Sequence, residues 1–345
     1  MTPHNFLKVL EGDADLVSKG KKVLASTSKD HVFVYFADHG APGLIAFPDS
    51  ELLATDLANT LTKLNSQKRY RKMVIYIEAC ESGSMFQGHL RPDMDILALT
   101  AANPNEPSYA CYWDDERETF LGDLFSVEWM EDSDALTDLD QETVQQQFAR
   151  VKRLTANSSH VMEYGDVTIG RAPVGQFQGE ARLAADQRRA SRPLVTDAVP
   201  SHDVPLIIAE RKMHKAGTEH QRELRKAAYE TVKAGRDYMR HAIHMLADQI
   251  KQHLPTSATQ PQPDLMSGRM TLTRNSCYQQ LYRAFDSHCF DLSSHPFALR
   301  YLYVFVNVCQ QMDPQLESSH VNLIADLIAD QCQKHVSEHP FKSIA

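Results

Sequence analysis

The sequence predicts an α/β domain followed by an all-α one, and three observations carry that prediction. Short runs rich in β-branched and aromatic residues stand at 31–37, 72–79 and 95–101, each bounded by turn signals. Helical patterns lie between or after them at 50–66, 120–131 and 141–155. From 218 onward the pattern is helical throughout. Strands that are apolar along their whole length, alternating with helices, indicate a largely parallel sheet covered on both faces.

The elements can be justified in order. His31-Val32-Phe33-Val34-Tyr35-Phe36-Ala37 is a strand that runs into Asp38-His39-Gly40. Lys72-Met73-Val74-Ile75-Tyr76-Ile77-Glu78 is a second, running into Ala79-Cys80-Glu81-Ser82-Gly83-Ser84. Asp95 through Ala101 is a third. Residues 171–205 are rich in Ala, Arg, Gln and Pro with weak apolar periodicity, and read as a linker. A long helix is expected from Thr218 to Leu254, ended by the proline-rich stretch 255–263, with further helices near 276–287, 296–311 and 319–336. The domain boundaries that follow are 1–170, a linker at 171–217, and 218–345.

Composition narrows the function. A chain of 345 residues with 42% hydrophobic content can bury a large core. Its net charge of −9 argues against a nucleic-acid partner. No run reaches the roughly 18 apolar residues of a membrane span. The first residues show no basic segment followed by an apolar one, so no signal peptide is expected. Charge is segregated: 114–140 carry eleven Asp/Glu and a single Arg, whereas 211–252 carry ten Lys/Arg against five Asp/Glu. These are either two solvated faces or a basic helix that docks on an acidic region.

The cysteines are also uneven. Cys80 and Cys111 lie in the first third, while Cys277, Cys289, Cys309 and Cys332 crowd into the helical end. Four cysteines there suggest two disulfides, and four allow three pairings. Zinc is the competing reading, but no CxxC pair is present, and no metal or cofactor is predicted.

The chemistry concentrates at the two strand tips. If the strands are neighbours, one tip presents a thiol, Cys80, and the other an imidazole, His39, which together make a nucleophilic dyad. The thiol is expected to be exposed at the chain reversal. Gly40 and Cys80 could offer backbone N–H groups to an oxyanion. The blander reading of Cys80 is a buried small hydrophobe. Against it stand Glu78, Glu81 and Ser82-Gly83-Ser84, more polar neighbours than a buried strand end usually has. Cys80 follows His39 by 41 positions, close to the order of a caspase-type cysteine and its upstream histidine.

At these residues the chain resembles the legumain family of asparaginyl endopeptidases, peptidase C13. The motifs that carry the resemblance are Tyr35-Phe36-Ala37-Asp38-His39-Gly40, Glu78-Ala79-Cys80-Glu81-Ser82-Gly83-Ser84 and Thr100-Ala101-Ala102-Asn103-Pro104. Ser108-Tyr109-Ala110-Cys111-Tyr112 and Trp129-Met130-Glu131-Asp132-Ser133-Asp134 agree as well, and the late cysteines match the family's helical prodomain. The resemblance implies a caspase-like peptidase sheet and a death-domain-like prodomain that lies over the active-site face and inhibits it. It implies His39 and Cys80 as catalytic dyad, and Glu78, Asp123 and Ser108 in the S1 pocket together with an arginine. It implies the pairings Cys277–Cys309 and Cys289–Cys332, with Cys111 unbridged. The implied setting is a lysosome or vacuole, and the implied substrates are proteins and peptides with Asn at P1. A carboxamide offers two N–H donors and one acceptor, so carboxylates take the donors and the arginine serves the carbonyl. Asp would fit only when protonated, and peptide ligation is a possible side activity. The blander role for Asp123 is an N-cap of the helix that follows it. Asn157-Ser158-Ser159 is a glycosylation sequon.

Where the family has a first strand, its crossover helix and the S1 arginine, this sequence has no counterpart. The expectation is an incomplete or alternatively started form. Two other readings stand beside the zymogen: a catalytically impaired regulatory isoform, and a relative of the transamidase of glycolipid anchoring. The latter's family lacks the four-cysteine helical domain and usually has a membrane segment.

Two outcomes are expected. No asparagine occurs from Ser158 through Arg274, so acid processing should map by N-terminal sequencing to an Asp–X bond, at aspartates such as Asp186, Asp197 or Asp203. Cleavage elsewhere, and only with an added protease, would sink that idea. If the prodomain is an electrostatic lid, raised salt near neutral pH should loosen its inhibition, and salt-insensitive inhibition would count against it.

Overall fold

In the computed structural model of the chain, residues 1–136, 138–179, 195–255, 263–313 and 317–336 are described. Two units emerge: 1–115 with 119–201, and 116–118 with the chain from His202 onward. The first unit opens with helices α1 (Pro3–Glu11) and α2 (Ala14–Ser18), then strand β1 (His31–Ala37). Strands β2 (Gly40–Ala41), β3 (Leu44–Phe47) and β4 (Ser50–Leu53) follow, then α3 (Ala54–Ser66) and β5 (Lys72–Glu78). Next come β6 (Ile96–Thr100), β7 (Tyr109–Asp114), β8 (Thr119–Asp123), α4 (Leu124–Ala135) and α5 (Val144–Thr155). The unit closes with β9 (Met162–Gly165), α6 (Gly175–Gln178) and β10 (Val199–Pro200).

The main sheet has the order β1-β5-β6-β9, with β1, β5 and β6 parallel and β9 antiparallel. Alternation along β5 sends Met73, Ile75 and Ile77 into one core with α3, and Val74 and Tyr76 into another with Phe125, Trp129 and Phe148 of α4 and α5. Burial on both faces is why these strands read as unbroken apolar runs.

Two helical spans predicted from the sequence begin too early. Residues 50–53 pair with β3, and 119–123 pair with β7, before the helices start at Ala54 and Leu124. Short antiparallel hairpins of this kind leave little periodicity to read. The predicted linker also contains more structure than expected. Val204–His214 is a helix, α7, with Pro205 in its first turn, where the missing N–H costs nothing.

The second unit continues with α8 (Glu219–Lys251), α9 (Asn275–His288), α10 (Pro296–Leu299), α11 (Tyr303–Gln311) and α12 (Glu317–His335). Disulfides join Cys277 to Cys309 and Cys289 to Cys332, with Cα–Cα separations of 5.9 and 4.9 Å. Asp203 receives Arg236 at 3.1 Å and Arg300 at 3.3 Å, and the Arg236 guanidinium lies 4.3 Å from the Phe297 ring centre. Arg225 of the basic stretch meets Glu118 of the acidic one at 3.1 Å. Among the described residues no helix is long and apolar enough to cross a membrane.

One buried acid pair ties the helical layer of the first unit together. Asp132 on α4 takes Arg150 of α5 at 2.8 Å. Among the described residues Asp132 Oδ2 and Glu142 Oε2 are both buried without a donor, and the two carboxyls can bond to each other only through a shared proton. Burial, then that bond, pushes Glu142 up to about 7. The folded state therefore binds a proton that the unfolded chain releases near 4.5, so this stability is complete below that pH and is lost as pH rises through about 7. Thermal melts should show Tm falling from acid to neutral pH. Glu142→Gln, which keeps a donor to Asp132, should narrow the fall by about 2–4 °C, the effect of ~1 kcal/mol after allowance for partial solvent screening.

Candidate active site

Parallel pairing of β1 with β5 sets Ala37 opposite Glu78, and the register continues past the strand ends, with the Asp38 N–H donating to the Glu78 carbonyl at 3.1 Å. His39 and Cys80 thus leave neighbouring strands at the same edge of the sheet. Gly40 packs so closely that a Cβ there would collide with the Cys80 carbonyl and crowd the Ala79 side chain. Only glycine admits that approach. The ladder between β2 and β3 is made by the Ala46 N–H donating to the His39 carbonyl at 2.9 Å, which makes Gly40 and Ile45 a non-hydrogen-bonded pair. The Gly40 N–H is therefore not used by that ladder.

Beyond Cys80 the chain reverses through Glu81, whose φ of 50° is left-handed, into a 3-10 turn at Ser82–Met85. Small residues are required there. A Cβ at Gly83 would strike the Tyr164 hydroxyl and Pro104. The Ser84 hydroxyl donates to the Glu81 carbonyl at 2.6 Å and accepts the Gly43 N–H at 2.7 Å.

The thiol itself differs from expectation. The sequence suggested an exposed cysteine, but Cys80 is fully buried. Ser108 is one reason: its N–H donates to Cys80 Sγ at 3.4 Å and its hydroxyl lies 3.6 Å away. Ser108 is in turn covered by the segment ending at Ser201, whose Oγ stands 3.0 Å from its own and whose N–H donates to its carbonyl. Burial, reinforced by Glu81, pushes the thiol well above its ordinary range, so the resting sulfur is protonated. Burial holds His39 below the usual imidazole range, with Asp38 opposing. Its Asp38 neighbour also accepts the His39 N–H at 2.7 Å. A neutral imidazole and a protonated thiol on neighbouring strand exits suit a base that takes a proton during attack.

The carboxylates gather on the other side of β5. Glu78 is buried, and its Oε2 accepts both the N–H and the hydroxyl of Ser126, at 2.8 and 2.9 Å. Asp123 occupies the N-cap position of α4 but makes no side-chain cap bond. Ser126 is the third residue of that helix, so Glu78 performs the capping that Asp123 would otherwise provide. The Asp123 carboxyl is thereby not taken up by the cap. Burial and Asp123 raise Glu78 to about 8, and burial and Asp38 raise Asp123 to about 6.

The remaining predicted residues stand apart. Asn157 is exposed in the turn after α5. Cys111 is unbridged and buried on β7. Asp186 lies outside the described residues. Asp197 accepts the Tyr112 and Trp113 N–H groups at 3.1 and 2.6 Å, which fixes the approach of β10 along β7. Sequence reasoning missed Ser126, Tyr35 and Ser201. Ser126 could have been flagged as the first hydroxyl after a helix start, but nothing local announces its partner 48 positions away.

Residues 1–180 match the Peptidase C13 family, and residues 230–322 match the legumain prodomain. Human legumain is 45% identical over 335 residues, covering 94% of this chain and 75% of the human protein. A hemoglobinase of Schistosoma japonicum is 38% identical, covering 90% of this chain and 70% of its own. The vacuolar-processing enzyme delta-isozyme of Arabidopsis thaliana is 34% identical, covering 88% and 68%. The chain belongs to the peptidase C13 family and is a legumain-type cysteine endopeptidase that carries the family's prodomain, a zymogen.

Proposed function

We propose that this zymogen matures to hydrolyse peptide bonds after asparagine, and after aspartate at acid pH, in a lysosome or vacuole. The observation that carries the reading is the close approach of Gly40 to the Cys80 carbonyl, which supports His39 and Cys80 acting as one unit. His39 takes the Cys80 proton as Sγ attacks the scissile carbonyl carbon. The Gly40 and Cys80 N–H groups receive the oxyanion. His39 then gives its proton to the departing amine, and water cleaves the thioester. An amine in place of water yields ligation. Glu78, Asp123 and Ser108 line S1. The helical prodomain acts as the inhibitor of the peptidase. The setting is supported by two disulfides and by a relative named as a vacuolar-processing enzyme.

The pH dependence follows from the two raised carboxyls. Asp123, at about 6, and Glu78, at about 8, are protonated below those values, when a P1 aspartate meets least repulsion. Cleavage after Asp should therefore be strongest at acid pH and fade as pH rises through about 6, while cleavage after Asn persists further. Paired peptides differing only at P1, assayed across pH with acid-processed protein, test this. Cys80→Ala should lower turnover by more than about a thousandfold. Turnover that survives Cys80→Ala, or equal cleavage after unrelated P1 residues, would remove the reading.

A further inference from the structure

Glu78 is held at one oxygen only. Ser126 donates twice to Oε2, from its N–H and its hydroxyl. A hydroxyl has one proton, so when Ser126 gives it to Glu78 Oε2 the Tyr35 O–H is the donor in its 2.7 Å contact with Ser126 Oγ. The result is a directed chain from Tyr35 through Ser126 to Glu78. Oε1 is buried and has no partner among the described residues. A carboxylate gripped on one oxygen and bare on the other has a single orientation available, with its bare oxygen reserved for what enters.

We propose that Ser126, itself held by Tyr35, is the positioning residue that reserves Glu78 Oε1 for the P1 side chain and so sets how sharply asparagine is separated from aspartate. The inference rests on the reading of Glu78 as part of S1. The charged and titratable groups that interact with Glu78 are Tyr35 on β1, Cys80 beyond its own strand, Cys111 on β7, and Asp123 at the end of β8, with Asp38 acting in turn on Asp123. All of them are neutral or acidic, so among the named causes only the Ser126 hydrogen bonds oppose the upward push of burial and Asp123 on Glu78. Without the hydroxyl the carboxyl loses one of the two bonds that fix its orientation, Oε1 is no longer held toward the entering side chain, and the asparagine amide loses a positioned acceptor.

The test compares acid-processed wild type with Ser126→Ala, Ser126→Thr, Tyr35→Phe and Glu78→Gln on paired P1 Asn and P1 Asp peptides across the acid-to-neutral range. Ser126→Ala should lower kcat/KM for Asn by about tenfold, the scale of one hydrogen bond to a charged group, with the loss mainly in KM. Its ratio of Asn to Asp cleavage should fall across the whole range, and Ser126→Thr should restore both. Tyr35→Phe, which leaves Ser126 in place, should shift the ratio in the same direction by less, and it decides the matter if Ser126→Ala does not fold. The inference is overturned if Glu78→Gln loses the Asn preference while folded Ser126→Ala or Tyr35→Phe keeps the wild-type ratio. If Glu78→Gln itself keeps the Asn preference, the S1 reading fails and this inference fails with it.

Discussion

The parallel pairing of β1 with β5 is the constraint on which the site depends. Side chains alternate along a strand, so a slip of one residue would move every core residue of β1 to the opposite face. The pairing of Val32 with Met73 and Ala37 with Glu78 is held by burial of both faces of β5. That same register delivers His39 and Cys80 to one edge. The close approach at Gly40 then locks the two exits against each other. The placement of His39 and Cys80 at one edge thus follows from the energetics of the core.

Burial also decides the character of the acids. Glu78, Asp123 and Glu142 are each held above the ordinary carboxylate range, with desolvation the leading cause in every case. Their arrangements differ. Glu142 faces another carboxyl and makes the fold prefer acid conditions. Glu78 is capped onto the start of α4, and that substitution for an ordinary N-cap releases Asp123. A helix terminus needs an acceptor for its orphan N–H groups, and taking it from a neighbouring strand couples α4 to β5.

Segment 195–201 shows a second economy. Asp197 pins two backbone N–H groups of β7, β10 adds antiparallel pairing, and Ser201 covers Ser108 beside the thiol. A region that reads as linker is thus tied to the peptidase unit up to Ser201, while Asp203, two residues on, is gripped by Arg236 and Arg300 in the helical unit.

The sequence alone determined the strands at 31–37, 72–79 and 95–101, the strand tips carrying His39 and Cys80, and the helical C-terminal half. Apolar runs and turn residues are local signals, and a thiol beside Glu-Ser-Gly-Ser is conspicuous without a fold. The hairpins at 40–53 and 109–123 were not legible, because strands of two to six residues carry too little periodicity to outweigh the helices they adjoin. Tertiary structure alone decided that Cys80 is buried, since its covering residues Ser108 and Ser201 come from distant positions. It alone decided that Glu78 caps α4 and that Asp123 does not, because which oxygen reaches an orphan N–H depends on how a helix docks on a sheet.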